Sequence, residues 1–320
     1  MEIVRYADRS DRAVRVGVRR AGRVSPLAGV GSVSELLRLP LAELRGLLEG
    51  AGAGAVGSDG SVGTDGRSGS DGLDESQVLL LPPVDGLTEV WASGVTYERS
   101  MAARVEESSQ KDAYQKVYEA ERPELFFKAP AWRVVTDGEP VAIRIDSGLD
   151  VPEPELGVVA NAYGEIVGYV ACNDMSSRAI EGENPLYLPQ AKVYAGSCAI
   201  STGIRPAWEI SDATSLDISL AVVRDGQTAW KGETSTARMH RDLPTLVDYL
   251  FRGDAHPAGA FLATGTGIIP EMSFTLAAGD RVEIEVAEVG VLSNPVVVGK
   301  EPLAWLVDAL SDPFAREVAR

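Results

Sequence analysis

The chain has two cysteines, Cys172 and Cys198, and two histidines, His240 and His256. Two cysteines give neither a disulfide framework nor a zinc set, so both read as small buried thiols. The histidines lie in ARMHRD and GDAHPAG without triad or metal-ligand spacing, and both read as structural. The GxSxG, P-loop and dinucleotide fingerprints are absent, which leaves serine-hydrolase chemistry and nucleotide dependence unsupported. No apolar run approaches the roughly 20 residues that cross a bilayer. The opening MEIVRYADRSDRAVRV carries acids where a signal peptide has its apolar core, so cytoplasm is the expected location and no membrane partner is expected. Positive charge is scarce as well. Thirty Lys and Arg stand against 47 Asp and Glu, a net charge of −17, which excludes nucleic acid because a phosphate backbone rewards clustered cations. An anionic small substrate would need a local cation. The lysines are Lys111, Lys116, Lys128, Lys192, Lys231 and Lys300, few enough to weigh one by one.

At 320 residues the chain can bury a large core. Residues 2–26 alternate like a hairpin, and SVSELLRLPLAELRGLLEG at 32–50 carries leucines at helical spacing behind a serine cap. The Gly-, Ser- and Asp-rich stretch at 51–72 has little to bury and reads as a flexible linker. The expected division is a small N-terminal α/β domain over 1–73 and a larger body over 74–320. The body opens with strand-like QVLLLPPV (77–84) and EVWASGVTY (89–97). Residues 96–124 are charged, rich in helix formers and free of glycine, which predicts a helix of several turns, either a lid or a solvated surface helix. After FFKAP (126–130) strand runs dominate, and helical patterns return chiefly at 243–251 and 303–310. The fold class is therefore α+β, built on a folded-over antiparallel or mixed sheet.

The most informative stretch is VPEPELGVV, residues 151–159. Glu153 and Glu155 are two apart and share a face of an extended chain. ELGVVANAYGEIVGYVACND reads as a hairpin turning at NAYGE, and symmetric pairing about that turn sets Asp174 opposite residues 152–154. Three converging carboxylates raise one another's pKa and cost several kcal/mol when partly desolvated, which a divalent cation relieves. With oxygen ligands only, Mg²⁺, Mn²⁺ or Ca²⁺ is the candidate ion; the competing reading is a solvated strand end with surface acids. Lys192, in the apolar segment GENPLYLPQAKVYAGSCAI, is either an anion clamp and proton-transfer group or a lysine snorkelling to solvent. Lys128, in FFKAP, is either a substrate contact or a surface charge. TGTGIIP (264–270) offers two hydroxyls among glycines, where backbone N–H groups approach a ligand closely.

PEPEL, then NDMSSRAIEGENPLYLPQAKVY, then TGTG, together resemble the fumarylacetoacetate hydrolase (FAH) superfamily, and in particular its 2-keto-3-deoxy-D-arabinonate dehydratase branch. The likeness spans roughly 77–310. It implies an FAH-like β-rich mixed-sheet roll, a dimer or tetramer, a small 2-keto acid substrate, and Mg²⁺ on Glu153, Glu155 and Asp174. It also brings Lys192 and Thr266 into the site. Hydrolase members of the superfamily carry a histidine in an NYxxH segment, with a lid glutamate beside it. Here the segment reads VTYERS, so Ser100 takes the histidine's place, and Glu106 and Glu107 are the candidate lid acids. The function implied is a metal-dependent hydro-lyase acting on 2-keto-3-deoxy sugar acids, with Lys192 assisting proton transfer and Thr266, Ser100, Arg99 and Lys128 contacting substrate. The alternatives are an acylpyruvate or fumarylpyruvate hydrolase, an oxaloacetate decarboxylase or an isomerase on the same metal site, and, outside catalysis, a binding protein that keeps the fold.

Overall fold

A computed structural model describes residues 1–52, 72–107 and 111–319, without the side chains of residues 52 and 103–114. Most of the stretch read as a linker, and the side chains of Glu106 and Glu107, lie outside the described residues.

The N-terminal alternation forms strands β1 (Glu2–Asp8), β2 (Val14–Arg20) and β3 (Arg23–Pro26). The leucine-rich segment then gives helices α1 (Val33–Leu36) and α2 (Leu41–Gly52), separated at Pro40. Ser32 caps α1 by accepting a hydrogen bond from the Glu35 N–H at 3.0 Å. Strands β4 (Leu73–Asp74), β5 (Val78–Leu81) and β6 (Glu89–Gly94) follow. The charged segment is helical as expected over α3 (Glu98–Glu107) and α4 (Lys111–Glu119), on either side of residues 108–110, which lie outside the described residues. The end of α4 is held from outside: Arg241 donates to the carbonyls of Val117 (2.9 Å), Ala120 (2.6 Å) and Glu121 (3.1 Å), and His240 stacks on Tyr118 with centroids 4.4 Å apart.

Strands β7 (Glu124–Pro130), β8 (Val141–Ile143), β9 (Asp150–Val151), β10 (Pro154–Ala160), β11 (Ile166–Asp174) and β12 (Ser176–Ser177) come next. Two short helices, α5 (Arg178–Glu183) and α6 (Leu188–Lys192), precede β13 (Cys198–Ile200) and β14 (Gly203–Pro206). The remainder is β15 (Asp217–Arg224), β16 (Gln227–Ser235), α7 (Leu243–Gly253), β17 (Ala260–Ala263), β18 (Arg281–Val286), β19 (Gly290–Val298) and α8 (Trp305–Asp308).

Twelve strands form one mixed sheet with the path β4-β3-β2-β1-β14-β11-β10-β17-β6-β7, with β13 on β11 and β5 on β1. Five more form the sheet β16-β15-β18-β19-β8, which packs against β10 and β11. The division expected at residue 73 corresponds to no break in the sheet. β1 pairs antiparallel with β14, Ile3 opposite Ile204, and Ile3, Val16, Leu36 and Leu44 share one core with Val90, Val159 and Phe261. Among the described residues, no helix is long and apolar enough to cross a membrane.

The β10–β11 hairpin lies in the middle of the twelve-stranded sheet, and strand periodicity explains its burial on both faces. Leu156, Val158 and Ala160 point into the core shared with the five-stranded sheet, beside Ile218, Leu220 and Ile284. The alternate positions face the other way, where Val159, Val170 and Cys172 join the core under α1 and α2. Glu153 and Glu155 belong to this second series. The run of apolar positions on that face therefore ends in two carboxylates.

A buried ion pair holds the C-terminal segment to the core. Arg316 donates to Glu139 Oε2 at 2.7 Å, and that oxygen also accepts the Thr136 N–H at 2.9 Å. Glu139 is fully buried and Arg316 is 5% exposed. Replacing Arg316 by Met leaves a charged carboxylate in the interior, and the expected cost is about 3–5 kcal/mol. Urea unfolding checks this as a lower midpoint at unchanged slope.

Candidate metal and substrate site

The NAYGE turn closes as the sequence suggests: the Asn161 N–H donates to the Glu165 carbonyl at 3.0 Å, and Gly164 takes a φ of 73°. From there the register runs to Pro154 opposite Asn173, and the Asp174 N–H donates to the Glu153 carbonyl at 2.9 Å. Glu153, Glu155 and Asp174 then offer carboxylate oxygens that all lie within 4.8 Å of one another, and all three residues are buried. The reading as solvated surface acids is thereby set aside.

Three buried cations surround the three acids. Lys192, the last residue of α6, donates from Nζ to Glu153 Oε2 (2.8 Å), Asp174 Oδ2 (2.9 Å) and Ser176 Oγ (2.5 Å). It is 2% exposed, so it does not snorkel. Arg178 opens α5, and its guanidinium reaches Glu153 Oε1 through Nε at 3.2 Å and Nη2 at 3.0 Å. Lys128 is 0% exposed; its Nζ pairs with Asp174 Oδ1 and donates to the carbonyls of Met175 (3.0 Å) and Lys192 (2.6 Å). Glu155 is placed differently. Its Oε2 accepts the Gly265 N–H at 2.7 Å, and burial, followed by the charges of Asp174 and Glu153, pushes its carboxyl well above the usual carboxylate range. This donor set fits a hard divalent cation: the ligands are oxygen only, and added positive charge would favour ionisation of Glu155.

The TGTG loop is stitched to strand β10 and to the turn between β6 and α3. Thr264 donates from its backbone N–H (3.1 Å) and Oγ1 (2.8 Å) to the Leu156 carbonyl, and its own carbonyl accepts Thr96 Oγ1 at 2.6 Å. Gly265 has a φ of 91°, and a Cβ there would stand 2.0 Å from Thr96 Oγ1, so only glycine fits. Thr266 lines the cavity, its hydroxyl engaged with the backbone of Ile268. Beside this loop, β6 turns into α3 through Val95, a buried β-branched residue at a φ of 54°. Such a conformation costs roughly 1–3 kcal/mol and marks a turn held in place by its surroundings.

The cavity wall gathers Ser93, Gly94, Val95, Ser100, Glu124, Phe126, the three acids, Glu181, Leu188, Lys192, Gly265, Thr266 and Ile269. Of the residues expected at the site, the acids, Lys192, Ser100 and Thr266 converge there. Ser100 Oγ donates to the Tyr97 carbonyl at 2.7 Å and accepts the Tyr97 N–H at 3.2 Å. Two expectations change. Lys128 is neither a surface charge nor part of the cavity wall; its three acceptors draw it behind Asp174. Arg99, next to inward-facing Ser100 on α3, is turned outward and lines a separate cleft with Tyr97, Tyr118, Arg238 and His240. Beyond the residues expected at the site, Arg178, Glu181 and Glu124 also join it. Both cysteines are buried, as expected; of the two histidines, His256 is buried and His240 is exposed.

Residues 89–297 match the family model of the fumarylacetoacetate hydrolase C-terminal domain. The chain is 49% identical over 214 residues to a probable 2-keto-3-deoxyxylonate dehydratase of Haloferax volcanii, covering 67% of this chain and 73% of that one. It is 43% identical over 225 residues to the 2-dehydro-3-deoxy-D-arabinonate dehydratase of Saccharolobus solfataricus, covering 69% and 75%. A solved structure of 2-keto-3-deoxy-D-arabinonate dehydratase complexed with magnesium and 2,5-dioxopentanoate superposes with a TM-score of 0.74 at 33% identity, over 93% of this chain and 99% of that one. The chain belongs to the fumarylacetoacetate hydrolase family.

The Gly265→Ala variant is expected to keep its far-ultraviolet circular dichroism while losing most of the thermal stabilisation given by Mg²⁺. The added methyl displaces the N–H that holds Glu155. Differential scanning fluorimetry with and without MgCl₂ reads this directly.

Proposed function

We propose that the protein is a Mg²⁺-dependent hydro-lyase that removes water from 2-keto-3-deoxy sugar acids, for a pentonate giving 2,5-dioxopentanoate. The observation that carries this reading is the buried triad of Glu153, Glu155 and Asp174 with Lys192 Nζ bonded to two of its members. The relatives named as dehydratases support it. Glu153, Glu155 and Asp174 would hold the metal, with Mn²⁺ or Ca²⁺ as substitutes. When bound, the ion would supply positive charge that stabilises negative charge on the substrate's C2 oxygen.

The chain's own groups divide the remaining work. Lys192 Nζ is the group that moves the proton at C3. Arg178 fixes Glu153, and Lys128 fixes Asp174 together with the backbone at Lys192, so both act by positioning. Thr266 and Ser100 border the substrate's carbon chain. With Ser100 where the hydrolases carry histidine, and its hydroxyl held by the Tyr97 backbone, the cavity has no imidazole to activate water. This favours elimination over hydrolytic carbon–carbon cleavage. A cytoplasmic homodimer or homotetramer belongs to the same proposal, supported by the family resemblance alone.

Assay of a panel of 2-keto-3-deoxy acids, with fumarylpyruvate, acetylpyruvate and oxaloacetate alongside, should give semialdehyde only from the sugar acids and only with Mg²⁺. The Glu155→Gln variant is expected to lose turnover, and with it the Mg²⁺-induced rise in Tm, while its circular dichroism stays that of the parent. Turnover that persists in EDTA would overturn the metal assignment.

A further inference from the structure

We infer that Glu124 is a further catalytic residue, the group that protonates the departing C4 hydroxyl; this rests on the dehydratase reading above. Elimination needs two proton handlers, one at C3 and one at the leaving oxygen, because hydroxide is a poor leaving group without a proton. Among the described side chains, the proton-carrying groups on the cavity wall are the three acids, Lys192, Glu181 and Glu124. The acids form one cluster, and Lys192 is bonded to two of them. Glu181 lies three residues from Arg178 on the same short helix, and Arg178 is bonded to Glu153, so Glu181 belongs to the triad's end of the cavity. Glu124 enters from elsewhere. It opens β7, four residues before Lys128, whose Nζ pairs with Asp174, and so stands further from that contact along the strand.

Its placement is built rather than incidental. Gly94, the last residue of β6, pairs with Glu124, and Ser93 Oγ donates to the Glu124 carbonyl at 2.9 Å, which fixes the backbone. A Cβ on Gly94 would stand 2.3 Å from Glu124 Oε2, so the carboxylate lies over a bare α-carbon and both residues face the cavity. The strained Val95 turn follows at once. A substrate whose C1 and C2 sit at the triad extends C4 and C5 along the cavity whose wall carries Glu124.

The steps balance. The base assigned to Lys192 takes a proton from C3, and the resulting enolate forms the C3=C4 bond as the C4–O bond breaks. The hydroxyl leaves as water with the proton of Glu124. The Glu124 carboxylate then takes a proton from C5, the protonated base returns its proton to C3, and the double bond moves to C4=C5. The enol so formed takes a proton at C4 and releases its hydroxyl proton to solvent, leaving the aldehyde. Both side chains end in their starting states.

The test follows two signals in D₂O with Mg²⁺: dehydration, and exchange of the C3 hydrogens of the substrate read by proton NMR. The Glu124→Gln variant should lose dehydration by about 10²–10⁴-fold while C3 exchange stays within a few-fold of the parent. The Gly94→Ala variant, whose methyl displaces the carboxylate, should show the same split and serves if Glu124→Gln does not fold. Dehydration near the parent rate in either folded variant overturns the inference, as does joint loss of exchange and dehydration with the Mg²⁺ thermal shift intact. The split appearing in Glu181→Gln and not in Glu124→Gln moves the role to Glu181. A parent protein that dehydrates none of the sugar acids overturns the dehydratase reading itself, and this inference with it.

Discussion

Three carboxylates stand at one end of the β10–β11 hairpin with water largely removed from them, and much of the chain's remaining arrangement answers that fact. Burying one unpaired carboxylate costs several kcal/mol, and burying three together costs more than three times that because each opposes the ionisation of the others. Lys128, Lys192 and Arg178 are the reply. Each arrives from a different element, β7, α6 and α5, and each is itself buried. The two short helices after β11 exist in a place where neither could be stable alone. They are held by the ends they present to the acids.

The wall beside Glu155 is organised by backbone rather than by charge. Gly94, Val95 and Gly265 lie within a few ångströms of Thr96, whose hydroxyl ties the β6–α3 turn to the TGTG loop. A β-branched residue at positive φ persists there because the groups on either side are fixed independently. The site therefore joins a region of ion pairs to one of close-packed backbone, and the two meet where the Gly265 N–H bonds Glu155. Such a pairing suits a reaction in which proton carriers must keep their spacing while the substrate's double bond migrates.

The sequence made the triad legible because strands obey a period of two and the NAYGE turn sets a register. Glu153, Glu155 and Asp174 needed nothing more to be placed together. Lys192 and Thr266 needed the family resemblance as well, since a lone lysine in an apolar segment is ambiguous without knowing what it touches. Lys128 and Arg99 went differently for a common reason: sequence reports that a cation is present but not which way its strand or helix turns it. Arg178 did leave a trace. Ser177 as an N-cap immediately after the acidic strand puts residues 178 and 181 in the first turn of a helix beside Asp174. The joining of the first fifty residues to the main sheet left none, because β1 pairs with a strand some two hundred positions away.

That last pairing governs how the molecule can be assembled. While the chain is being made, β1 finds β2 at once, but its other edge is met only by Val78–Leu81 and by Gly203–Pro206. Until roughly two thirds of the polypeptide has emerged, one flank of the growing sheet stays open, with Ile3 and Val4 lacking their later partners. Contacts this distant in sequence form slowly, and open strand edges invite pairing with other chains in the interval. The high net negative charge fits that exposure, since mutual repulsion keeps unfinished copies apart at the stage when they are most prone to associate.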